Sequence, residues 1–133
     1  MSKIEVKDDR RYTKDHEWAK RDKDEVLVGI SAYAVDQLGD ITLVNFDVSE
    51  GDPVETGKPF GTVESVKTLA DMFAPVSGTV LRLNRALEDA PELINQDCYG
   101  QAWLVAIAPS APAELDALLG PAAYRELLAG EAH

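Results

Sequence analysis

From Tyr12 onward the chain breaks into short apolar runs separated by turn signals, and that punctuation restricts the fold more than any other feature. Residues 12–20 read as an edge strand, and the polar turn Arg21-Asp22-Lys23-Asp24 leads into Val26-Leu27-Val28-Gly29-Ile30, a strand rich in branched residues. Ser31 offers an N-cap for about two helical turns through Leu38, with Gly39 as the stop. Residues 41–48 alternate, with Thr42, Val44, Phe46 and Val48 on one face and Ile41 and Leu43 starting the other. Two close turns, at residues 50–53 and 55–59, precede strands over 60–66 and 69–74 that flank a turn at Lys67. Strands over 79–83 and 102–108 follow, with a loop rich in Pro, Asn and Asp (residues 88–100) between them. Strands recurring at about 8–12 residues favour a sandwich or barrel over a parallel α/β sheet. After Pro109 the chain turns rich in Ala and Leu: Leu115, Leu118 and Leu119 stand at helical spacing. Gly120-Pro121 breaks that pattern before a second short helix over 122–128.

A length of 133 residues suits one domain with a proper core. Lys and Arg total 13 against 24 Asp and Glu, a net charge of −11 that argues against nucleic acid and anionic membrane surfaces as partners. Apolar residues at 45% with 28% charged are the composition of a globular chain. Cys98 is the only cysteine, so no internal disulfide forms and no oxidising compartment is needed. Residues 1–11 read as a flexible charged leader without an apolar targeting core, and no run approaches a membrane span; a cytoplasmic protein is expected. With His16 and His133 as the only histidines, a His/Cys metal site lacks ligands. No Gly-rich phosphate loop or Gly-x-Ser-x-Gly elbow occurs, and no intrinsic catalysis is expected.

The stretch that carries chemistry runs from Phe60 to Gly78: Phe60-Gly61, Val63-Glu64-Ser65-Val66-Lys67, then Asp71, Phe73, Pro75 and Ser77-Gly78. It resembles the lipoyl-lysine hairpin of the glycine cleavage system H proteins. The likeness extends to His16-Glu17-Trp18, Gly29-Ile30, Tyr33-Ala34, Leu38-Gly39-Asp40-Ile41, Asn84, Leu87, Pro91-Glu92-Leu93, Asn95, Tyr99-Gly100 and Trp103. It implies an all-β barrel-sandwich hybrid with a short internal helix and C-terminal helices. Residues 12–108 would form the carrier domain, with 109–133 packed on it.

On that resemblance Lys67 is the attachment point for lipoic acid. The residue type suits the task, because a primary amine forms a stable amide and a hairpin tip projects it outward. The cofactor supplies the reactivity while the domain supplies position and reach. Glu64, three residues before the lysine, is implied in recognition by a lipoate ligase or lipoyl transferase, against the plainer role of a solvated carboxylate. Glu17 and Asp71 match positions near where the loaded arm folds back; carboxylates there can hold a protonated amine by charge-assisted hydrogen bonds. Their plain alternative is surface acidity. Trp18 and Trp103 read as core.

Three departures from the family pattern lie outside the hairpin: Cys98 before Tyr99-Gly100 instead of Pro, Phe46-Asp47 instead of Leu-Pro, and Ala102 instead of Gly before the tryptophan. A thiol at Cys98 can exchange with a dithiolane, or it can be one more inert buried cysteine. The resemblance implies an aminomethyl carrier working with glycine decarboxylase, aminomethyltransferase and dihydrolipoyl dehydrogenase. A second reading is an H-protein-like lipoate-binding protein of sulfur oxidation, serving a heterodisulfide-reductase-like complex. A third is a non-lipoylated binding or scaffold domain.

Overall fold

The structure, a computed structural model, describes residues 4–131. Antiparallel pairing throughout follows from the short turns, since none of the connections between paired neighbours is a crossover helix. Strands β1 (Arg11–Tyr12), β2 (Glu17–Asp22), β3 (Glu25–Ile30), β5 (Pro53–Val54), β8 (Gly78–Leu83) and β9 (Val105–Pro109) build one sheet in the order β1-β2-β3-β9-β8-β5. A second, three-stranded sheet has the order β4-β6-β7, from β4 (Ile41–Phe46), β6 (Pro59–Ser65) and β7 (Leu69–Phe73). The class is mostly β with minor helix, a barrel-sandwich fold whose two sheets stay open, in agreement with the expectation.

Helix α1 (Ala32–Leu38) is bounded as its sequence predicts: the Ser31 hydroxyl accepts from Ala34 N–H, and Gly39 ends it at φ 79. The core lies between the sheets. Phe60, Val63, Met72, Ile41 and Val44 from one meet Val26, Val28, Val80, Val105 and Ile107 from the other. Gly61 is required where β4 and β6 cross closely, because a Cβ there would sit 2.4 Å from the Asn45 carbonyl oxygen.

The expected alternation of residues 41–48 fails at its start. A bulge between Ile41 and Leu43 shifts the register, so Ile41 joins Val44 in the core while Thr42 and Leu43 face out. The expected edge strand over 12–20 is two strands, because the turn at residues 13–16, with His16 at φ 72, reverses the chain between β1 and β2. The expected loop over 88–100 holds most of two short helices, α2 (Ala86–Asp89) and α3 (Leu93–Asp97), which bury Leu87 and Ile94. They are too short to show a helical period.

A second, aromatic cluster covers the outer face of β1 and β2. Tyr12 stacks on Tyr124 with ring centroids 4.2 Å apart, and Trp18 and Tyr99 join them. Tyr124 belongs to α5 (Pro121–Glu131), which follows α4 (Ala113–Asp116), so the C-terminal helices are tied to the body. Residues 5–10 of the charged leader also lie on this cluster. Arg10 is buried over the Trp18 ring at 4.5 Å and donates to the Tyr99 carbonyl, while the Tyr99 hydroxyl donates to the Glu5 carbonyl. Residues 1–3 and 132–133, including His133, lie outside the described residues. Trp18 is fully buried as expected, whereas Trp103 is half-buried with Arg82 over its ring.

Candidate functional site

Lys67 occupies the tip of the hairpin between β6 and β7 and is exposed. The tip is built by Ser65, which is buried: its hydroxyl accepts from the backbone N–H groups of Lys67 (3.1 Å) and Thr68 (3.2 Å). Its own N–H donates to the Thr68 carbonyl at 2.8 Å. A serine two residues before the lysine thus fixes the turn by side-chain mimicry of a backbone bond. The tip is seated on the segment after α1, where Val66 N–H donates to the Asp40 carbonyl at 3.1 Å. Asn95 from α3 clamps that seat, accepting from Ile41 N–H and donating to the Gly39 carbonyl, both at 2.9 Å. The lysine stem runs over Gly39, whose absent Cβ would meet Lys67 Cε at 3.4 Å. No ion pair holds the Lys67 ammonium among the described residues, so acylation would break none.

Glu64 is exposed on the outer face of β6, across from Leu43 on one side and Leu69 on the other. Asp71 lies on the same outward face of β7, paired across to Thr62. Glu17 stands apart at the opposite end of β7 and differs sharply from surface acidity: only 2 % of it is exposed. Thr13 Oγ1 donates to Glu17 Oε1 at 2.6 Å, and Phe73 N–H donates to Oε2 at 3.2 Å. Burial, with no cation to offset it, pushes this carboxyl up from 4.5 to about 7 despite those two donors. Glu17 lines a cavity of about 330 Å³ with Thr13, Thr56, Gly57, Phe73 and Leu118. The outward face of β7 therefore runs from the tip lysine, past Asp71, to a pocket lined in part by Glu17.

Cys98 follows α3 and packs half-buried against the aromatic cluster, its carbonyl accepting from Trp18 Nε1–H at 3.0 Å. Burial pushes its thiol up to about 11, so at neutral pH it is a protonated thiol within the packing. Of the residues singled out from sequence, Lys67 and Glu64 come together at the tip, Asp71 lies further along β7, and Glu17, on β2, meets the far end of β7 at Phe73. Ser65, Asn95 and Thr13 were given no role from sequence. Ser65 and Thr13 act over short spacings, to Lys67 and to Glu17, whereas Asn95 acts through contacts distant in the chain.

A barrel-sandwich domain with an exposed lysine braced at a hairpin tip, in no ion pair among the described residues, has the arrangement of a cofactor-bearing carrier protein. A family model described as glycine cleavage H-protein matches residues 10–131. A glycine cleavage system H protein of Anaeromyxobacter sp. strain K is 48% identical over 123 residues, covering 92% of this chain and 94% of that one. Those of Thermus thermophilus and Chlorobium phaeovibrioides are 46% and 50% identical over 129 residues, covering 97% and 96% of this chain and all of theirs. The crystal structure of an H protein from Mycobacterium marinum superposes with a TM-score of 0.84 at 35% identity, covering 96% of this chain and all of that one. The chain belongs to the glycine cleavage H-protein family, whose members are lipoyl carriers with lipoic acid attached covalently to a lysine.

Proposed function

We propose that Lys67 bears the lipoyl group and that the loaded arm shuttles between the enzymes of glycine cleavage: glycine decarboxylase, aminomethyltransferase and dihydrolipoyl dehydrogenase. The observation that carries this is the exposed Lys67, on a tip braced by Ser65 and seated on Asp40, in a chain of this family. Bound lipoate would supply a redox-active disulfide able to carry a one-carbon unit between enzymes. The chain's own residues supply geometry and charge. Ser65 and Asn95 fix the root of the arm, and Asp71 marks a path along the outward face of β7. Glu17, at the end of that path, can surrender its proton to solvent and hold a protonated amine by charge-assisted hydrogen bonds, as Thr13 and Phe73 keep its oxygens oriented. Nothing in this set is a nucleophile poised against a base, so chemistry is assigned to the partners and none to the carrier. The proposed place of work is the cytoplasm, and residues 12–108 with the helices that follow act as one carrier unit.

The deciding assay is glycine-dependent release of carbon dioxide by lipoylated protein with decarboxylase and aminomethyltransferase from the same organism. Efficient turnover that vanishes in Lys67→Ala is expected. Failure of fully lipoylated, folded protein would reject the glycine reading in favour of the sulfur-oxidation one.

A further inference from the structure

His16 is held at φ 72, in the left-handed region that residues other than glycine enter only at a cost. Such strain persists where the surroundings over-determine it, and here they do. The His16 N–H donates to the Thr13 carbonyl at 3.1 Å, and its carbonyl accepts from Ser31 N–H at 2.9 Å. The imidazole is gripped from two helices. Nδ1 lies 2.8 Å from the Tyr124 hydroxyl and Nε2 lies 3.3 Å from Glu131 Oε2, both on α5, while the ring packs at 4.7 Å on Tyr33 of α1. Donation can run one way through the whole chain, from Ser31 Oγ to Tyr124, from Tyr124 to His16 Nδ1, and from His16 Nε2–H to Glu131.

The three residues before it, Thr13, Lys14 and Asp15, line the cavity beside Glu17. The Thr13 hydroxyl has its direction set. It accepts from Asp15 N–H at 3.2 Å and from Glu17 N–H at 3.1 Å, which leaves its proton for Glu17 Oε1 at 2.6 Å. Each Glu17 oxygen therefore has a donor, Thr13 on Oε1 and Phe73 N–H on Oε2, so the turn and β7 together orient the carboxyl. Apart from Lys14, Asp15 and the Tyr12 phenol, the elements that complete the cavity contribute no titratable side chain among the described residues.

We propose that His16 is a positioning residue for Glu17: its imidazole, clamped to α5 and α1, holds the left-handed turn that aims the Thr13 hydroxyl at the Glu17 carboxyl. The proposal rests on the reading of Glu17 as the group that holds an amine, and it adds a link from the C-terminal helix to that group. His16 is not part of the cavity lining, so it acts through the backbone of the turn and meets no cargo. A turn released from the clamp relaxes its strain at residue 16, and the hydroxyl three residues earlier moves with it.

The test is titration of the Glu17 side-chain carboxyl in the unmodified full chain, followed by carbon NMR, with thermal melts to show folding. Thr13→Val removes a donor to the carboxylate and should raise the midpoint by about 1 pH unit above the wild-type value of about 7. His16→Ala keeps the strained position without its clamp and should raise the midpoint too. His16→Asn, a residue more at ease at this φ, should restore most of the wild-type value. The double variant of Thr13→Val and His16→Ala should match Thr13→Val alone, because His16 acts through that hydroxyl. Tyr124→Phe keeps the ring stack, removes one clamp partner and should give a smaller rise. An unchanged midpoint in Thr13→Val, in His16→Ala or, should that variant not fold, in Tyr124→Phe would overturn the proposal. Additive rises in the double variant would overturn it as well, since the effect would then run through Lys14 or Asp15. So would a rise in His16→Asn equal to that in His16→Ala, which would make the left-handed backbone irrelevant. No loaded arm enters these titrations, so the amine-holding reading fails separately, as a Glu17 midpoint that is the same in aminomethyl-loaded protein as in the unmodified chain.

Discussion

Glu17 concentrates most of the site's electrostatics in one side chain. Its folded-state carboxyl lies near 7 against 4.5 for the free group, because burial disfavours the charged form more than Thr13 and Phe73 favour it. Below about pH 4.5 the group is protonated in folded and unfolded chains alike and contributes no pH dependence. Between about 4.5 and 7 the unfolded chain releases the proton while the folded chain keeps it, so stability falls as pH rises. The loss is complete above 7. Glu17→Gln removes this burden, so from pH 4.5 to 8 wild type should lose on the order of 3 kcal/mol relative to the variant. Urea titrations across that range check it; parallel pH profiles for the two proteins would contradict the buried-acid assignment.

At the scale of elements, the hairpin matters less than what it stands on. Asn95 spans from α3 to both sides of the Gly39–Ile41 turn, and the tip in turn rests on Asp40. Asn95→Ala strips two hydrogen bonds from that seat and should cost about 2 kcal/mol. It should also loosen the tip, seen as faster amide hydrogen exchange at Val66 but not at Val28 in the core. Unchanged exchange at Val66 would mean the hairpin holds itself. The sequence made this hairpin legible because the strands over 60–66 and 69–74, the lysine turn and Ser65 all lie within one local pattern. It did not make the seat legible, because the pairing of Asn95 with Gly39 joins residues far apart in the chain. The bulge at Thr42 was hidden for a related reason: a clean alternation in 41–48 says nothing of an extra residue that only the partner strand reveals. For Glu17 the sequence offered an arm contact or a surface acid, and neither anticipates a carboxyl that is almost wholly buried. Its burial depends on a turn folding against Phe73, which spacing alone does not express.

Beyond the sandwich that holds the tip, a separate aromatic cluster welds residues 5–10 and α5 to the outer face. Tyr124 is central to that weld. Beyond its stack on Tyr12, its hydroxyl lies 2.7 Å from Ser31 Oγ and 2.8 Å from His16 Nδ1. Tyr124→Ala should therefore cost about 3–5 kcal/mol, the range for emptying a large aromatic site, and lower the melting temperature of the entire chain. A melt that loses only a little helix signal would show α5 to be an independent appendage. The weld lies apart from the tip, so Lys67 stays exposed while the fold's stability is secured elsewhere. The central claim is that this body exists to present one lysine for modification. Its most direct test is peptide-resolved mass spectrometry of the protein produced with a working lipoate-attachment system. The account predicts a single lipoyl group, on Lys67, that disappears in Lys67→Ala; a lipoyl group on another lysine, or none at all, would contradict it.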